Sequence, residues 1–409
     1  MTDAGHPSAS RVKQLWYVLC HWLCARTYFG RITVLHPERL PERGPILYVG
    51  LHRNGAVDGF VYHQLAPRGV FLISTQLTRS FFSRLFFSGI AVARKSDDED
   101  RNQNDGALRQ CTELLANGGE LIVFSEGTSS LGPRHLPFKS GAARIALDAI
   151  GRGVPLRIVP LGIHYERAWA FRSKVEIVVA EPIATEFPAG LSELGRLKEM
   201  KRRVTAALES VGANFPSAEV QENAERLAYA ATLGTTRSYF AALKTLEAGV
   251  PEPLSAGWRA LAPQLAARRV LLHQGVPLFP AGPWMLYALP LLVLGPIVPA
   301  GMLANFPPLL LGWLAARKFA DGPNVVALWR ILIGLPLFVI WSGTVSVSLA
   351  LFAGWWWVLA YMLLTAAALK SLYRARKLAV AVWNGLVHRD LARRAHEFHR
   401  SVLQTIAPS

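Results

Sequence analysis

At 409 residues the chain is long enough for two or three structural units, and its first half alone can bury a hydrophobic core. The net charge of +16 and the pI of about 10.2 suit anionic partners. Nucleic acid is excluded as the favoured partner, because the charge accompanies a hydrophobic fraction of 51% and no recognisable nucleic-acid-binding module. A cytoplasmic membrane face, where anionic lipids attract basic segments, fits better.

The N-terminal segment, residues 1–35, combines apolar, aromatic and basic side chains. Its apolar core from Leu15 to Leu23 is short and lacks a small-residue cleavage site, which argues against a signal peptide. The composition predicts a helix that lies in the membrane interface, with an ordinary packing helix as the alternative. Cys20, His21 and Cys24 do not have the spacing of a zinc site, and no second half-site follows, so no metal is expected.

Residues 36–210 alternate strand-like and helix-like stretches. Such alternation is typical of an α/β domain in which helices flank the sheet. The predicted helices run over 105–115 and 141–150. The predicted strands are 46–50, 70–74, 90–93, 121–124, 156–161 and 175–179.

The rest of the chain is predicted to be helical. Residues 211–275 have helical periodicity and mixed charge, which indicates a helical connector. No charged residue occurs over 270–316 or 331–369, so residues 276–370 are predicted to form transmembrane hairpins, two spans in each run. We expect the first run to break near Pro299 and Asn305, and the second to turn at Ser342–Thr344. Residues 371–409 are predicted to form a basic cytoplasmic tail.

A histidine and an aspartate, His52 and Asp58, come just after the first predicted strand of the α/β domain. An alcohol attacks a thioester poorly unless a base takes its proton, and histidine titrates near working pH. A carboxylate on the other ring nitrogen would hold the correct tautomer. Six positions apart on one helix the two would lie on different faces, so the pairing requires a loop, which Gly55 permits. A structural or solvated pair is the alternative.

Candidate anion-binding residues follow two later strands and begin a helix. The glycine turn in Phe124-Ser-Glu-Gly-Thr128 can present N–H groups to a phosphate or an oxyanion. Arg94 can pair bidentately with a phosphate, and Lys139 can add affinity at a helix start. The alternatives are a plain strand-to-loop turn and exposed cations. We assign residues 154–160 to the core, where they would shape an acyl tunnel.

Four blocks thus occur in order: His52…Asp58, Gly89…Arg94, Phe124–Thr128 and Val154…Pro160. Over residues of about 40 to 183 they resemble the glycerophospholipid acyltransferase superfamily, membrane enzymes that acylate glycerol-3-phosphate or lysophosphatidate. The resemblance implies a base at His52 and its partner at Asp58. It further implies phosphate binding by Arg94, Glu126, Gly127 and Thr128, with Glu126 ordering the loop. It implies direct transfer from acyl-CoA or acyl carrier protein, without an acyl-enzyme, a metal or a bound cofactor.

The chain departs from the family pattern at two places. Five residues separate His52 from Asp58, where the family usually has four, and Ser125 and Ser129 stand where proline and arginine are usual. Arg53 and Lys139 are candidate auxiliary cations for the missing arginine. Fungal-type glycerol-3-phosphate and dihydroxyacetone-phosphate acyltransferases share a lengthened first block and lack that arginine, which favours glycerol-3-phosphate as acceptor.

The sequence therefore predicts a multi-pass membrane glycerolipid O-acyltransferase with its catalytic domain on the cytoplasmic face. Its expected partners are membrane phospholipids and the acyl donor. Two alternatives stay open at this point. One is an acyltransferase for a lysophospholipid or amino-acid lipid, and the other is a non-catalytic lipid-binding membrane protein.

Overall fold

The computed structural model describes residues 11–93 and 101–406. The chain divides into two compact units. The first comprises residues up to 131, 135–164 and 175–212, and the second comprises 132–134, 165–174 and 213 onward. The predicted fold class is confirmed, because a mixed sheet with helices is followed by a helical region.

One seven-stranded sheet, in the order β1-β7-β6-β2-β5-β3-β4, supports the α/β fold. The strands are β1 Arg31–Leu35, β2 Ile46–Gly50, β3 Val70–Ser74, β4 Gly89–Val92, β5 Glu120–Phe124, β6 Arg157–Tyr165 and β7 Lys174–Val179. The central strand β2 is parallel to both of its neighbours, β5 and β6, and is buried along its whole length. A strand that is buried on both faces appears in the sequence as a continuous run of apolar residues, which is why β2 is predicted well.

Strand β1 was not predicted, because the sequence assigns residues 1–35 to a helix. Its pattern Arg-Ile-Thr-Val-Leu is partly buried at an edge of the sheet, which gives a weak strand signal. The helices of this region are α1 Arg11–Tyr28, α2 Val57–Tyr62, α3 Phe81–Phe86, α4 Arg101–Ala116, α5 Gly141–Gly151 and α6 Glu193–Ser210.

Helix α1 has one packed face and one exposed apolar face. It packs on α2 and α3, and buries Cys24 and Tyr28. Its opposite side exposes large apolar side chains, including Leu15, Leu19 and Trp22. The two predicted alternatives for this segment, a packing helix and an interfacial helix, therefore describe different faces of α1.

The second unit begins with three helices, α7 Ala218–Thr232, α8 Tyr239–Glu247 and α9 Glu252–Ala267, and a two-stranded hairpin of β8 Leu272–His273 and β9 Val276–Pro277. The last helix, α15 Arg389–Thr405, packs against α7 and α9 and buries Leu391, Phe398 and Val402. These side chains share one hydrophobic core with buried residues of α7, α8 and α9. The predicted basic tail is thus a structured helix, because its apolar residues recur at helical spacing.

Between these parts lie α10 Trp284–Ala304, α11 Phe306–Phe319, α12 Pro323–Trp329, α13 Leu335–Phe352 and α14 Trp355–Val387. A π-helical turn, Arg330–Gly334, joins α12 to α13. By length and composition three stretches suffice to cross a membrane: Trp284–Ala304, Pro323–Phe352 and Trp355–Val387. Four spans were predicted, but α11 is only 14 residues long.

Contacts between small residues fix the helix directions. Gly301 of α10 meets Ala368 of α14, while Gly385 near the end of α14 meets Trp284 at the start of α10, so these helices are antiparallel. Gly312 of α11 lies close to Gly334, so α11 packs tightly against the π-helical turn. The helices consequently form two antiparallel hairpins, α10–α11 and α12/α13–α14.

The second hairpin turns at a different place from the predicted one. Helix α13 runs through Ser342–Thr344, and the chain reverses at Ala353 and Gly354, where Gly354 has a φ of 95°. The Ser342 hydroxyl, within α13, accepts a hydrogen bond from the Tyr361 hydroxyl of α14 at 3.2 Å. The three tryptophans 355–357, which the sequence places mid-span, instead begin α14 and are exposed. The first hairpin breaks at Asn305, as expected, whereas Pro299 lies within α10.

Candidate active site

The candidate site forms where two parallel strands end side by side. In the register of β2 and β5, Gly50 is the partner of Phe124, the last residue of β5. His52 follows β2 by two residues and Glu126 follows β5 by two residues. Ligand sites of open parallel sheets form at this carboxyl edge. The sequence-predicted first and third blocks are therefore neighbours in space.

A loop brings His52 and Asp58 together. Gly55 adopts a φ of 55°, in the left-handed region, and the short helix α2 begins at Val57. Asp58 lies in the first turn of α2, and its Oδ2 is 2.9 Å from His52 Nδ1. Histidine and aspartate thus make the contact that the catalytic interpretation requires.

Asp58 is fully buried, and its carboxylate is well bonded. Besides His52, the backbone N–H groups of Arg53 and Asn54 donate to Oδ2, at 2.6 and 2.9 Å. A buried carboxylate needs such donors to offset the loss of water. The loop of the first block is thereby wrapped around the Asp58 side chain, and both the loop and the imidazole are held by one oxygen atom.

These contacts determine which ring nitrogen of His52 is basic. An ionised carboxylate only accepts hydrogen bonds, so Nδ1 carries the proton and Nε2 has a free lone pair. Among the described residues Nε2 has no hydrogen-bond partner. The ring itself stacks on Phe124, with centroids 4.3 Å apart and planes within 6° of parallel. His52 is therefore fixed on one side by a carboxylate and on one face by an aromatic ring.

Glu126 connects the two blocks. Its Oε1 accepts the backbone N–H of His52 at 2.9 Å, and its Oε2 accepts that of Leu136 at 3.0 Å. Burial raises the pKa of Glu126, and the two backbone N–H donors, with the charge of Arg53, partly offset that rise. The side chain is almost fully buried. Glu126 thus orders the loops.

A small cationic surface lies beside the glycine turn. Gly127 has a φ of 72°, and a Cβ atom there would overlap the Lys139 ammonium group, so this ammonium lies directly against the turn. The Lys139 N–H also donates to the Ser125 carbonyl at 2.8 Å. Thr128 next to the turn is exposed. Of the predicted phosphate-binding residues, Gly127, Thr128 and Lys139 are therefore grouped together.

Arg53 and Arg94, the two other predicted cations, do not belong to the group that the structure shows at the glycine turn. Arg53 lies between the catalytic candidates in sequence, is half-buried, and is near enough to Glu126 for its charge to act on that carboxyl group. Arg94 lies outside the described residues, although the preceding strand β4 ends at Val92. Its expected role in phosphate binding stays a prediction.

The sequence analysis missed two aromatic residues of this site. Phe124 was treated only as the start of a block, yet it stacks on His52. Tyr62 is fully buried, and its hydroxyl donates at 3.2 Å to the carbonyls of Leu51, just after β2, and Leu161, in the middle of the adjacent strand β6. The signal for Tyr62 was its helical position four residues after Asp58, which turns it toward the same loop.

Similarity to known proteins agrees with this geometry. The acyltransferase family model matches residues 31–164, which include both blocks. A 1-acyl-sn-glycerol-3-phosphate acyltransferase of Chlamydomonas reinhardtii is 30% identical over 34% of this chain and 42% of its own length. The predicted resemblance is therefore confirmed over residues 31–164, and it supports the glycerophospholipid acyltransferase superfamily.

Two further proteins are similar to parts of this chain. Glycerol-3-phosphate O-acyltransferase 2 of Saccharomyces cerevisiae is 32% identical over 29% of this chain and 17% of its own length. The crystal structure of the lysophosphatidate acyltransferase PlsC of Thermotoga maritima has a TM-score of 0.36 and 22% identity, covering 52% of this chain and 85% of that one. The chain thus spans less than half the length of the two curated relatives it matches here.

Proposed function

We propose that this protein is a membrane-bound glycerolipid O-acyltransferase, which moves a fatty acyl group from an acyl thioester to a hydroxyl of glycerol-3-phosphate or lysophosphatidate. The observation that carries the proposal is the buried hydrogen bond between His52 Nδ1 and Asp58 Oδ2 at the carboxyl edge of the sheet. The named activities of the relatives support the same class of reaction.

In the proposed reaction His52 acts as general base and then as general acid. Its Nε2 takes the proton of the acceptor hydroxyl as that oxygen attacks the thioester carbonyl carbon. Asp58 stabilises the resulting imidazolium. When the tetrahedral intermediate collapses, the C–S bond breaks and the thiolate receives the proton from His52. The products are an ester and a free thiol, and His52 returns to its neutral form.

The acceptor phosphate is proposed to bind at the glycine turn. The Lys139 ammonium beside Gly127, together with Thr128, offers a cation and a hydroxyl to such an anion. Arg94 is proposed as a further ligand of the phosphate. In this role Lys139 supplies the positive charge that arginine at position 129 would give in most family members.

A membrane location is proposed for both units. The hairpin helices expose many apolar side chains. Their two basic stretches, Arg317 and Lys318 in the last turn of α11 and Lys370 to Lys377 in α14, are proposed to lie on the same side of the membrane. Positive charge on one side favours the cytoplasmic face. The exposed apolar face of α1 suits insertion into a membrane interface.

The test is an acyltransferase assay on the full chain in lipid vesicles, with radiolabelled acyl-CoA or acyl carrier protein as donor. Glycerol-3-phosphate, lysophosphatidate and a lysophosphodiester are offered separately. The proposal predicts ester product from a phosphomonoester acceptor, and release of one thiol for each ester formed. Product from the lysophosphodiester alone would assign a different acceptor, and no thiol release with any pair would favour a lipid-binding protein.

A further inference from the structure

The second unit holds a group of cationic side chains around one buried carboxylate, Glu166. The Lys174 ammonium is 3.2 Å from Glu166 Oε1, and the Tyr373 hydroxyl donates to Oε2 at 3.3 Å. Glu166 is only 4% exposed. The Lys377 ammonium lies over the rings of Tyr229 and Tyr373, 5.3 and 4.7 Å from their centroids. Glu166 pairs directly with Lys174 and its charge also acts on Lys377, so one carboxylate faces two cations.

Two guanidinium groups converge on the turn between β8 and β9. Gln274 and Gly275 in this turn have φ values of 52° and 80°. A Cβ atom on Gly275 would lie 3.3 Å from Arg226 Nε and 3.6 Å from Arg167 Nη2. The Arg226 Nε is buried and has no hydrogen-bond partner among the described residues. Two cations this close repel each other unless an anion lies between or beside them.

A direct hydrogen bond joins the two groups. The Gln274 side-chain N–H donates to the hydroxyl of Tyr373, which in turn bonds Glu166. Within the described part of the chain, the carboxylate paired with Arg226 is that of Glu222, which is 65% exposed. The joined group contains the cations of Lys174, Arg167, Arg226, Arg376 and Lys377 and the carboxylates of Glu166 and Glu222. Its charge is therefore clearly positive.

The group lies at the charged end of the helical hairpins. Lys377 comes after the uncharged run of α14, in a stretch that also contains Lys370, Arg374 and Arg376. At the same end Arg330 donates to the Trp169 carbonyl at 2.9 Å. If the hairpins are embedded in a bilayer, this end is at the level of the lipid headgroups. Basic pockets beside membrane helices at this level suit anionic headgroups.

We propose that Arg167, Arg226 and Lys377 bind the phosphate of an anionic phospholipid. Three cations could bind any phosphate ester. Their position at the charged end of the hairpins favours a phospholipid over a soluble phosphate ester. Binding here uses none of the residues around His52 and does not rest on the proposed acyl transfer. It can therefore be measured with the His52→Ala variant as well as with the wild type.

The experiment is native mass spectrometry of the full chain in detergent micelles doped with dioleoylphosphatidylglycerol or dioleoylphosphatidylcholine. We compare wild type, Lys377→Gln, the double variant K377Q/R226Q, and Arg393→Gln, which removes an exposed cation of α15. Each cation removed from the site should lower the affinity for phosphatidylglycerol about fivefold. Arg393→Gln should leave it unchanged, and Lys377→Arg should retain it because the charge is kept.

Equal binding of phosphatidylglycerol by all variants would overturn the site, and so would equal binding of phosphatidylcholine by the wild type. Displacement of phosphatidylglycerol by millimolar glycerol-3-phosphate would overturn the choice of a lipid as ligand. Thermal unfolding of each variant shows whether it is folded. If the double variant is not, Arg167→Gln replaces it, with the same expected loss for one cation.

Discussion

The imidazole of His52 lies flat on the phenyl ring of Phe124, with 4.3 Å between centroids. The contact exists because β2 and β5 are parallel neighbours in a register that pairs Gly50 with Phe124. Gly50 leaves room on its strand, where a Cβ atom would crowd the rings of Tyr62 and Phe124 at 3.1–3.4 Å. The His52 ring is thus oriented by a residue on a different strand from the one that leads into His52.

Phe124→Leu tests that orientation. Leucine keeps most of the buried apolar volume but cannot stack, and stacking of aromatic rings contributes about 1 kcal/mol beyond burial. We therefore expect turnover to fall about fivefold with the midpoint of thermal unfolding little changed. Steady-state rates beside melting curves measure both. Undiminished turnover in a variant that melts normally would mean that the ring does not position His52.

Asp58→Asn changes the partner of His52 with minimal change of shape. The amide can present its NH₂ group to Nδ1 and so favour the tautomer in which Nε2 carries the proton and cannot act as base. Turnover should fall about a hundredfold or more, with a smaller effect on KM, since the pair acts in the transition state. Kinetics over a range of acceptor concentrations separate the two constants. A rise in KM with normal kcat would contradict this role.

Glu126→Gln should alter the pH dependence of stability. Burial raises the pKa of Glu126 above its usual value of 4.5. A carboxyl group whose pKa is higher in the folded state stabilises the fold at low pH, and this contribution is lost as pH rises through the folded-state pKa. The free energy of unfolding of wild type minus that of Glu126→Gln should therefore decrease as pH rises above 4.5 and then level off.

Denaturant titrations at several pH values measure this difference. Glu193→Gln, which changes an exposed residue, is the control, and no such trend is expected for it. A difference that grows with pH would contradict the sign.

Membrane insertion of α1 can be tested by spin labelling. Leu15 on α1 is 67% exposed and Leu194 at the start of α6 is 60% exposed, so they match in type and exposure. The three native cysteines are buried, which confines labelling to an introduced thiol. In vesicles a nitroxide at Leu15→Cys should collide with oxygen more than with a water-soluble nickel chelate, and one at Leu194→Cys should do the reverse. Equal accessibility to the chelate at both positions would rule out insertion of this face.

The strands and their ends were predictable because each buried strand is a short apolar run, and the blocks follow those runs directly. Asp58 could be paired with His52 from the position of Gly55. The stack on Phe124 was not predictable, since it depends on the register between strands far apart in sequence. Glu126 was expected to order the phosphate loop, and the structure adds its bond to the His52 N–H.

The helical region shows where local signals mislead. Ser342, Gly343 and Thr344 are typical of a turn in water, but an apolar surrounding favours a helix, because the backbone groups must bond one another. The turn at Gly354 depends on a positive φ, which glycine adopts readily. The basic tail was predicted from its charge, whereas Leu391, Phe398 and Val402 carry the helical pattern that packs it into the core.

The most direct test of the proposed acyl transfer removes its proposed base, His52. Wild type and His52→Ala, each reconstituted in vesicles and checked by thermal unfolding, are compared for esterification of glycerol-3-phosphate and lysophosphatidate from labelled acyl thioester. We expect product with the wild type and a loss of about a thousandfold or more in the variant, with both proteins folded and bound to membranes. Equal product from a folded His52→Ala protein would contradict it.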